Sequence, residues 1–459
     1  MKHTDIVDIF GGKAEKNQPV TVCGWVRTFR DSKNMAFLEI NDGTTFKHLQ
    51  IVIDKNVVTN DDFMRLGCSV KVEGILVDSL VMKDSVEINA TKIELLGDCP
   101  IDYPLQKKRS TMEFLRTIPH LRVRTNTFNA VFRVRSVVAS CIHEFFQARH
   151  YVYVNTPIIT ASDCEGAGEV FKVTTIGYSN EYKSEEEYYK NDFFGQKTGL
   201  SVSGQLEGEM AAMAFGKIYT FGPSFRAENS NTPRHAAEFW HIEPEVAFAE
   251  LPDIIEIAED LIKHIINTVL TKCEAELNFF DKFVENGLID KLKNVVSHKF
   301  GVVDYTDAIE ILKKADEEVH FVYKPEWGED IQTEHEKYLT EVAFKKPIFV
   351  INYPKDIKSF YMKQNPDGKT VAATDLLVPG VGEIIGCSER EADLDKLLQA
   401  MKDKHMTMDE YEDYIALRKF GSVPHSGFGL GFERILMYVT GMSNIRDVVL
   451  FPRTAGGIR

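Results

Sequence analysis

Residues 218–248 place charged and aromatic side chains together in a pattern that suits phosphate and base binding. Two strand-like runs are joined by a polar loop over 229–233, which is rich in turn-forming residues. The charged groups of the segment are Arg226, Glu228, Arg234, His235, Glu238, Glu243 and Glu245. Cations hold phosphates, and an aromatic face such as that of Phe239 stacks on a base. An edge hairpin with its charges in water is the alternative, but this many mutually compensating groups favours a pocket floor.

A pair of carboxylates lies later in the chain, where residues 374–390 read TDLLVPGVGEIIGCSER. We expect Asp375 and Glu383 on neighbouring strands beneath a glycine-rich turn. Magnesium takes oxygen ligands and bridges to phosphates, so this pair predicts a metal site beside a phosphate-binding site. The glycine pattern alone is weak support for it.

Short strands separated by turns are predicted over residues 18–96. Their apolar and polar residues alternate in VTVCGWVRTFR, AFLEINDGT, KHLQIVID, SVKVEGILV and VEINATKIELLG. Five such strands predict a small closed barrel, for which the OB-fold is the obvious candidate. Any other small β-domain is an alternative that the pattern leaves open.

A proline-rich stretch and a long amphipathic helix follow the barrel. Pro100, Pro104 and Pro119 predict that no regular element crosses the stretch. Asn126 is expected to cap the helix. The apolar residues at helical spacing are Phe128, Val131, Phe132, Val138, Cys141, Ile142, Phe145 and Phe146. With the β-branched run YVYVNT and helical patterns over 251–270 and in TDAIEILKKA, they indicate a larger second domain of α+β type.

Composition excludes several classes of protein. The 459 residues suffice for two or three domains, and 44% hydrophobic with 27% charged residues is ordinary for a globular protein. No apolar run approaches a membrane span and no apolar leader is present, so we expect no membrane partner and a cytoplasmic location. Seven cysteines without a CxxC pair predict free thiols.

The net charge of −15 does not exclude RNA as a partner, because it averages over remote faces. Local basic surfaces are present at Arg27, Arg30 and Lys33, and in the segment 106–126. The run 107–109 predicts contact with an RNA backbone, with a solvated linker as the alternative.

The segment FRAENSNTPRHAAEFWHIEPE resembles the second signature motif of class II aminoacyl-tRNA synthetases. It is most similar to the asparaginyl members of the subgroup that also contains the aspartyl and lysyl enzymes. The helix and strand that end at Pro157 resemble the first motif, which forms the dimer interface in the family. GFGLGFERILMYVTGMSNIRDVVLFPR resembles the third motif, and GWV with HLQIVID is similar to the anticodon-binding barrel of the subgroup.

This resemblance implies an α+β fold with an OB-fold anticodon-binding domain at 1–100, a hinge at 101–125 and a class II catalytic domain at 126–459. It also implies a homodimer, and ATP, Mg²⁺, an amino acid and tRNA as ligands. The implied catalytic residues are Arg226, Glu228 and Arg434, and the implied ATP-binding residues are Arg226, Arg234, His235, Phe239, Glu383 and Arg434. The other implied site residues are Asp375 and Glu383 for magnesium, Glu165, Gln205, Glu243 and Arg390 for the amino acid, and Phe37 and Gln50 for the anticodon.

The amino acid is predicted from the polarity of the implied site. The aspartyl relatives carry a lysine where this chain has Gly208, and a cation suits a carboxylate side chain. An amide needs both a donor and an acceptor, which Arg390 and Glu243 supply. The sequence therefore favours asparagine, and tRNA(Asn), over aspartate.

Three alternatives remain at this point. An aspartyl-tRNA synthetase is the alternative within the family. A non-catalytic, synthetase-like RNA-binding protein is opposed by the intact set Arg226, Phe239, Asp375, Glu383 and Arg434. A tRNA-independent ligase that forms amides is opposed by the barrel with Phe37 and Gln50, since such an enzyme has no use for an anticodon reader.

Overall fold

The computed structural model describes residues 2–80, 85–108, 110–162, 164, 170–177, 182, 184–230 and 232–458. The chain divides into two compact units, Met1–Arg133 and Val134–Arg459. The sequence-based boundaries at 100 and 125 stay predictions. Among the described ranges, no helix has both the length and the apolar character needed to cross a membrane.

The first unit contains a closed five-stranded barrel with the strand order β1-β2-β3-β5-β4. Its strands are β1 (Pro19–Asp31), β2 (Met35–Asn41), β3 (Leu49–Asp54), β4 (Ser69–Asp78) and β5 (Val86–Gly97). Alternation makes the core, since Ala36, Leu38 and Ile40 of β2 are fully buried while the residues between them are not. The closed barrel confirms the predicted OB-fold.

Gly74 shows why one barrel position cannot carry a side chain. A Cβ there would collide with the backbone carbonyl of Asn89 on the neighbouring strand. The pairing of β4 with β5 shifts register next to this residue, between Glu73 and Gly74, as at a β-bulge. The glycine therefore lets the two strands approach closely where the barrel bends.

The helices of the first unit are α1 (Ile6–Phe10), α2 (Met112–Thr117), α3 (Pro119–Arg122) and the start of α4 (Asn126–Gln147). As predicted, no described element crosses the proline-rich stretch: the short helix α2 ends before Pro119, and α3 begins at it. Pro119 opens α3, because the first helical turn tolerates a residue without an N–H. Helix α4 is confirmed, but Asn126 already belongs to it, and the Thr125 hydroxyl accepts from the Phe128 amide at 3.4 Å.

The second unit is built on an eight-stranded, mostly antiparallel sheet with the order β11-β12-β13-β14-β15-β10-β9-β6. Its strands are β6 (Val152–Tyr153), β9 (Lys217–Phe225), β10 (Glu238–Ala247), β11 (Gly301–Asp304), β12 (Ile348–Ile351), β13 (Ala373–Val378), β14 (Gly382–Glu389) and β15 (His425–Gly431). A separate pair is formed by β7 (Ile159–Thr160) and β8 (Gly199–Leu200). The antiparallel-rich sheet confirms the predicted α+β class.

Helices flank this sheet and cover its hydrophobic residues. They are α5 (Glu185–Lys190), α6 (Gln205–Phe215), α7 (Leu251–Lys272), α8 (Glu274–Phe283), α9 (Leu288–Ser297), α10 (Tyr305–Val319), α11 (Thr333–Lys337), α12 (Leu394–Asp403), α13 (Glu412–Ala416) and α14 (Phe432–Thr440). A π-helical segment spans Tyr338–Ala343, and 3₁₀ segments span Lys355–Ile357, Met408–Tyr411 and Ile445–Asp447. The helices predicted at 251–270 and 306–315 are confirmed.

Candidate active site

The segment 218–248 forms an antiparallel hairpin of β9 and β10, which lies in the large sheet between β15 and the edge strand β6. Residues at every second position of β10 share one face of a strand. On that face Phe239, His241, Glu243 and Glu245 line a cavity of about 430 Å³. The charged strand is therefore the floor of a pocket, as its composition predicts.

Strand β15 makes room for these side chains because it is rich in glycine. A Cβ at Gly427 would collide with the Glu245 carboxylate, and one at Gly429 would lie 2.5 Å from Nε2 of His241. The glycines of GFGLG are thus needed for two buried polar side chains of the adjacent strand to fit.

One end of the cavity is lined by cations. Arg226, Arg234, Arg434 and Lys358 all contribute to its wall. Arg234 Nη1 lies 3.0 Å from Glu336 Oε2, and it also donates to the Val381 carbonyl. These contacts fix the position of the Arg234 guanidinium before any ligand binds.

The guanidinium of Arg226 lies near the Phe239 ring, and that of Arg434 lies near Glu383 at the start of β14. The Arg226 guanidinium carbon lies 5.5 Å from the centre of the Phe239 ring, within cation–π range. Arg434 Nη1 donates to the Glu383 carbonyl at 2.9 Å, and it lies 3.5 Å from the Glu383 carboxylate. The arrangement offers several positive groups and a ring face to one polyanionic, aromatic ligand.

Asp375 on β13 and Glu383 on β14 face one point at this end of the cavity. A Cβ at Gly386 would lie 3.5 Å from Glu383 Oε1 and 3.7 Å from Asp375 Oδ1. Lys358 Nζ donates to Asp375 Oδ2 at 2.7 Å. Two converging carboxylates with a glycine between them suit a magnesium ion that also binds phosphate oxygens.

The surrounding charges and burial shift the pKa values of these two carboxyls in opposite directions. Burial raises the pKa of Asp375, and neither Lys358 nor its hydrogen bond fully offsets that effect. Burial also acts on Glu383, but the nearby Arg434 and Lys358 outweigh it and lower the pKa of the Glu383 carboxyl. Glu383 is therefore the group held ionised by the cation-lined wall.

The opposite end of the cavity contains a buried, densely hydrogen-bonded Glu243. Its carboxylate accepts from the Ser203 hydroxyl, from the Gly204 amide at 3.1 Å and from the Thr220 hydroxyl at 2.8 Å. His241 Nδ1 lies 3.1 Å from Glu243 Oε1. Burial opposes the charge of Glu243, but these neighbours outweigh it and lower its pKa to about 2.

Arg390 also lines the cavity and is only 3% exposed. Its Nη2 and Nε donate to the Glu245 carboxylate at 2.5 and 3.2 Å, and its Nη1 donates to the Ser388 hydroxyl at 2.6 Å. Gln205, at the start of α6, lines it too. The wall of one cavity thus contains both a hydrogen-bond donor, Arg390, and an anionic acceptor, Glu243.

Comparison with known proteins decides the family. A model of the tRNA synthetases of class II (D, K and N) matches residues 111–455, and a model of the OB-fold nucleic acid binding domain matches residues 20–96. The chain belongs to the class II tRNA synthetases of this D, K and N group.

Relatives within this synthetase group are similar along their full length. The asparagine–tRNA ligase of Clostridium kluyveri is 56% identical over 444 residues, which are 96% of each chain. That of Acetivibrio thermocellus is 58% identical over 440 residues, which are 95% of this chain and 94% of the relative. The crystal structure of asparaginyl-tRNA synthetase from Pyrococcus horikoshii complexed with asparaginyl-adenylate has a TM-score of 0.87 at 33% identity, covering 100% of this chain and 99% of that one.

The synthetase cavity collects nearly all the site residues predicted for the second unit. These are Gln205, Arg226, Glu228, Arg234, His235, Phe239, Glu243, Asp375, Glu383, Arg390 and Arg434. Glu165 lies outside the described residues, and its predicted contact with the amino acid stays a prediction. The structure thus shows that these residues line one cavity, and the role of each residue stays a prediction.

The barrel residues predicted to read the anticodon lie together on the outer surface of the barrel. Phe37 on β2 is half-buried and pairs with Val52 of β3, and Gln50 pairs with Glu39 in the same register. Gln50 Nε2 donates to Glu87 at 2.8 Å. Their neighbours Leu38 and Ile51 point into the core, so the two predicted residues lie on the outward face of their strands, where Gln50 is itself buried at 8% exposure.

The first unit also has a basic cavity next to the barrel, of about 610 Å³. The cations in its wall are Arg27, Lys107, Lys108 and Arg124, and none of the described wall residues is an acid. Burial lowers the pKa of Arg27, and the neighbouring Arg124 adds to this effect. Arg109, the third residue of the basic run, lies outside the described residues.

Sequence reasoning missed four residues of the catalytic cavity and its surroundings. Lys358, Ser203 and Glu245 line it, and Glu336 anchors Arg234. Ser203 is two residues before the predicted Gln205, and Glu245 lies in the segment 218–248. Their closeness in sequence to predicted site residues was therefore an available signal. Lys358 and Glu336 come from helical or irregular segments far along the chain, and no local pattern marks them.

Proposed function

We propose that this chain is an asparagine–tRNA ligase, which forms asparaginyl-adenylate from asparagine and ATP and transfers the asparaginyl group to tRNA(Asn). The observation that carries the proposal is the polarity of a single cavity. One end has cations, an aromatic ring and paired carboxylates, and the other has an anionic acceptor beside a guanidinium. This is the arrangement that an amino acid and ATP need in order to react with each other. The asparagine–tRNA ligases to which the chain is 56–58% identical support the choice of reaction.

The first step needs positioning more than side-chain chemistry. The carboxylate of asparagine attacks the α-phosphate of ATP, a bond to the α-phosphorus forms, and pyrophosphate leaves. Both reacting groups come from substrates, so the protein acts by orientation and by neutralising charge. We assign Arg226 and Glu228 to the α-phosphate region, Arg234 and His235 to the pyrophosphate end, and Phe239 with Arg434 to the two faces of adenine.

Magnesium fits the two carboxylates above Gly386. Asp375 and Glu383 would hold it, and when bound it would neutralise the phosphate oxygens. Lys358 sets the position of the Asp375 carboxylate through its 2.7 Å contact. The low pKa of Glu383 keeps one ligand ionised at neutral pH.

The amino-acid end favours an amide over a carboxylate. Arg390 donates to the side-chain oxygen of asparagine, and Glu243 accepts from its NH₂ group. Because the pKa of Glu243 is about 2, it stays anionic at neutral pH and repels the carboxylate of aspartate. The alternative within the family, aspartate activation, would require a positive group such as the lysine that the aspartyl relatives carry at the position of Gly208. Gly208, which adjoins Glu245, supplies none.

The barrel supports tRNA as the acceptor of the asparaginyl group. Phe37 would stack on an anticodon base and Gln50 would hydrogen-bond one, with stacking worth about 1–3 kcal/mol per base. The basic cavity of Arg27, Lys107, Lys108 and Arg124 suits the phosphodiester backbone. Homodimerisation through the first motif and a cytoplasmic location are further proposals, which rest on the family.

Charging of tRNA tests the proposed function. The protein is incubated with ATP, Mg²⁺, radiolabelled asparagine and unfractionated tRNA, and acid-precipitable label is counted. Label on tRNA that depends on ATP supports the proposal. Activation of asparagine without any transfer to tRNA would instead indicate an amide-forming ligase, and no activation would indicate a non-catalytic protein.

A further inference from the structure

A buried charged network lies directly behind the amino-acid end of the cavity. Its centre is Glu209, which is fully buried on α6. The Glu209 carboxylate accepts from Arg418 Nη2 at 2.9 Å and from the Tyr414 hydroxyl at 2.9 and 3.0 Å, and it lies 2.9 Å from His425 Nε2. None of these four residues lines the cavity. The network can therefore act on a bound ligand only through the cavity residues that it contacts.

Two of its contacts reach the cavity wall. Gln205 Nε2 donates to Glu209 Oε1 at 3.0 Å, and Arg390 Nε lies 3.8 Å from the same oxygen. Gln205 and Glu209 are four residues apart, so they stand on one face of α6. Glu209 thus contacts Gln205 and Arg390, two of the three described side chains that we assign to the amino acid.

An ionised carboxylate can only accept hydrogen bonds, so it fixes which end of the Gln205 amide faces it. The NH₂ group must point towards Glu209, and the carbonyl oxygen must point away from it, towards the cavity. Burial opposes the charge of Glu209, but Arg418 and His425 outweigh it and lower its pKa, so the carboxylate is ionised at neutral pH. The hydrogen bond also polarises the amide and makes its oxygen a better acceptor.

Building on the proposed function, we infer that Glu209 is a positioning residue, which holds the Gln205 oxygen towards the ammonium group of bound asparagine. Arg390 and Glu243 are occupied with the side-chain amide in this arrangement, which leaves the ammonium as the strong donor for Gln205. The negative charge behind the amide favours a cation in front of it.

Glu209→Gln tests this role, since it keeps the volume and removes the constraint on the Gln205 amide. The variant leaves Arg418 buried without its charge partner, which can impair folding. The double variant E209Q/R418M removes both charges and provides a second route. Glu412→Gln, an exposed acid on the nearby α13, is the matched control. Each protein is assayed by ATP–pyrophosphate exchange, with succinamate, which is asparagine without the ammonium group, as a competitive inhibitor.

We expect the KM for asparagine to rise by about ten- to a hundredfold in either Glu209 variant, as expected for a lost charge-assisted hydrogen bond. The KM for ATP, kcat and the inhibition constant of succinamate should stay close to those of the unmodified protein. The inference is overturned if asparagine, ATP and succinamate weaken together, which indicates a structural role, or if a folded variant keeps its asparagine KM. Absence of exchange in the unmodified protein would instead reject the proposed function.

Discussion

The side chains of the two regions proposed to bind substrates differ in how firmly their neighbours restrain them before a substrate binds. At the amino-acid end of the catalytic cavity, Gln205, Glu243 and Arg390 are buried. Arg390 is already restrained by Glu245 and Ser388, and Glu243 by Ser203 and Thr220. On the barrel, Phe37 is half-buried, and the described hydrogen bonding of the Gln50 side chain is a single contact to Glu87.

The difference indicates how each region gains its selectivity. A restrained cavity does not have to order its side chains when a ligand binds, which favours discrimination between two amino acids of nearly equal size. A half-buried ring on the outward face of a strand can stack on an unpaired base, which is how single-stranded RNA is read. Substitutions should therefore affect amino-acid activation and tRNA charging separately.

Arg226→Ala should give the largest effect and should be confined to the cavity. Loss of one donor to a developing phosphate charge costs about 10²–10³ in rate. ATP–pyrophosphate exchange should fall by this factor, while circular dichroism and thermal unfolding stay unchanged. Near-normal exchange in a folded variant would remove Arg226 from the mechanism.

Glu243→Gln should change selectivity more than it changes asparagine use. The new amide still offers an oxygen to the asparagine NH₂, so the loss is about 1.5–3 kcal/mol at most, the value of one charge-assisted hydrogen bond. Aspartate loses a like-charge repulsion. The ratio of kcat/KM for asparagine over aspartate should fall sharply, mainly through better use of aspartate.

Arg390→Leu is the companion variant for this measurement, and it should weaken both amino acids because either side-chain oxygen needs the donor. If Glu243→Gln leaves the ratio unchanged, the discriminating acid lies elsewhere, and Glu207, whose charge interacts with that of Glu243, would be the next residue to test.

Phe37→Ala should act on the other region. Loss of one stacked base costs about 1–3 kcal/mol, so kcat/KM for tRNA should fall by about ten- to a hundredfold. Asparagine activation measured without tRNA should not change. A parallel fall in both activities would show that Phe37 acts through stability and not through the anticodon.

Gln50→Ala should have the smallest effect of the series. One neutral hydrogen bond contributes about 0.5–1.5 kcal/mol, and Glu87 loses a partner when Gln50 is removed. We expect a decrease in tRNA charging of about tenfold or less, again with unchanged activation. A loss larger than that of Phe37→Ala would reverse the proposed order of the two contacts.

The sequence predicted the elements best where local periodicity is strong. Alternation along the barrel strands and the 3.6-residue period of α4 and α7 led to the correct elements. The prolines separate regular elements as predicted, but the short helices α2 and α3 of this stretch were not predicted, because Pro119 permits a helix to start as well as to stop. The cap of α4 was misplaced by one residue because threonine and asparagine are adjacent there and cap helices in the same way.

The site was predictable in part for a similar physical reason. Strand periodicity places Phe239, Glu243 and Glu245 on one face, so the hairpin alone indicates a charged floor. Lys358 and Glu336 were not predictable, since they reach the cavity only through tertiary packing. The carboxylate of Glu209 was not predictable either, because its partners Arg418 and His425 are more than 200 residues away.

The most direct test of the central claim is ATP–pyrophosphate exchange with asparagine and aspartate assayed side by side on the unmodified protein. We predict exchange that depends on asparagine. The kcat/KM for aspartate should be lower by at least about a hundredfold, because the anionic Glu243 repels the side-chain carboxylate of aspartate. Equal use of the two amino acids, or preference for aspartate, would contradict the assignment of Glu243 and Arg390 to an amide.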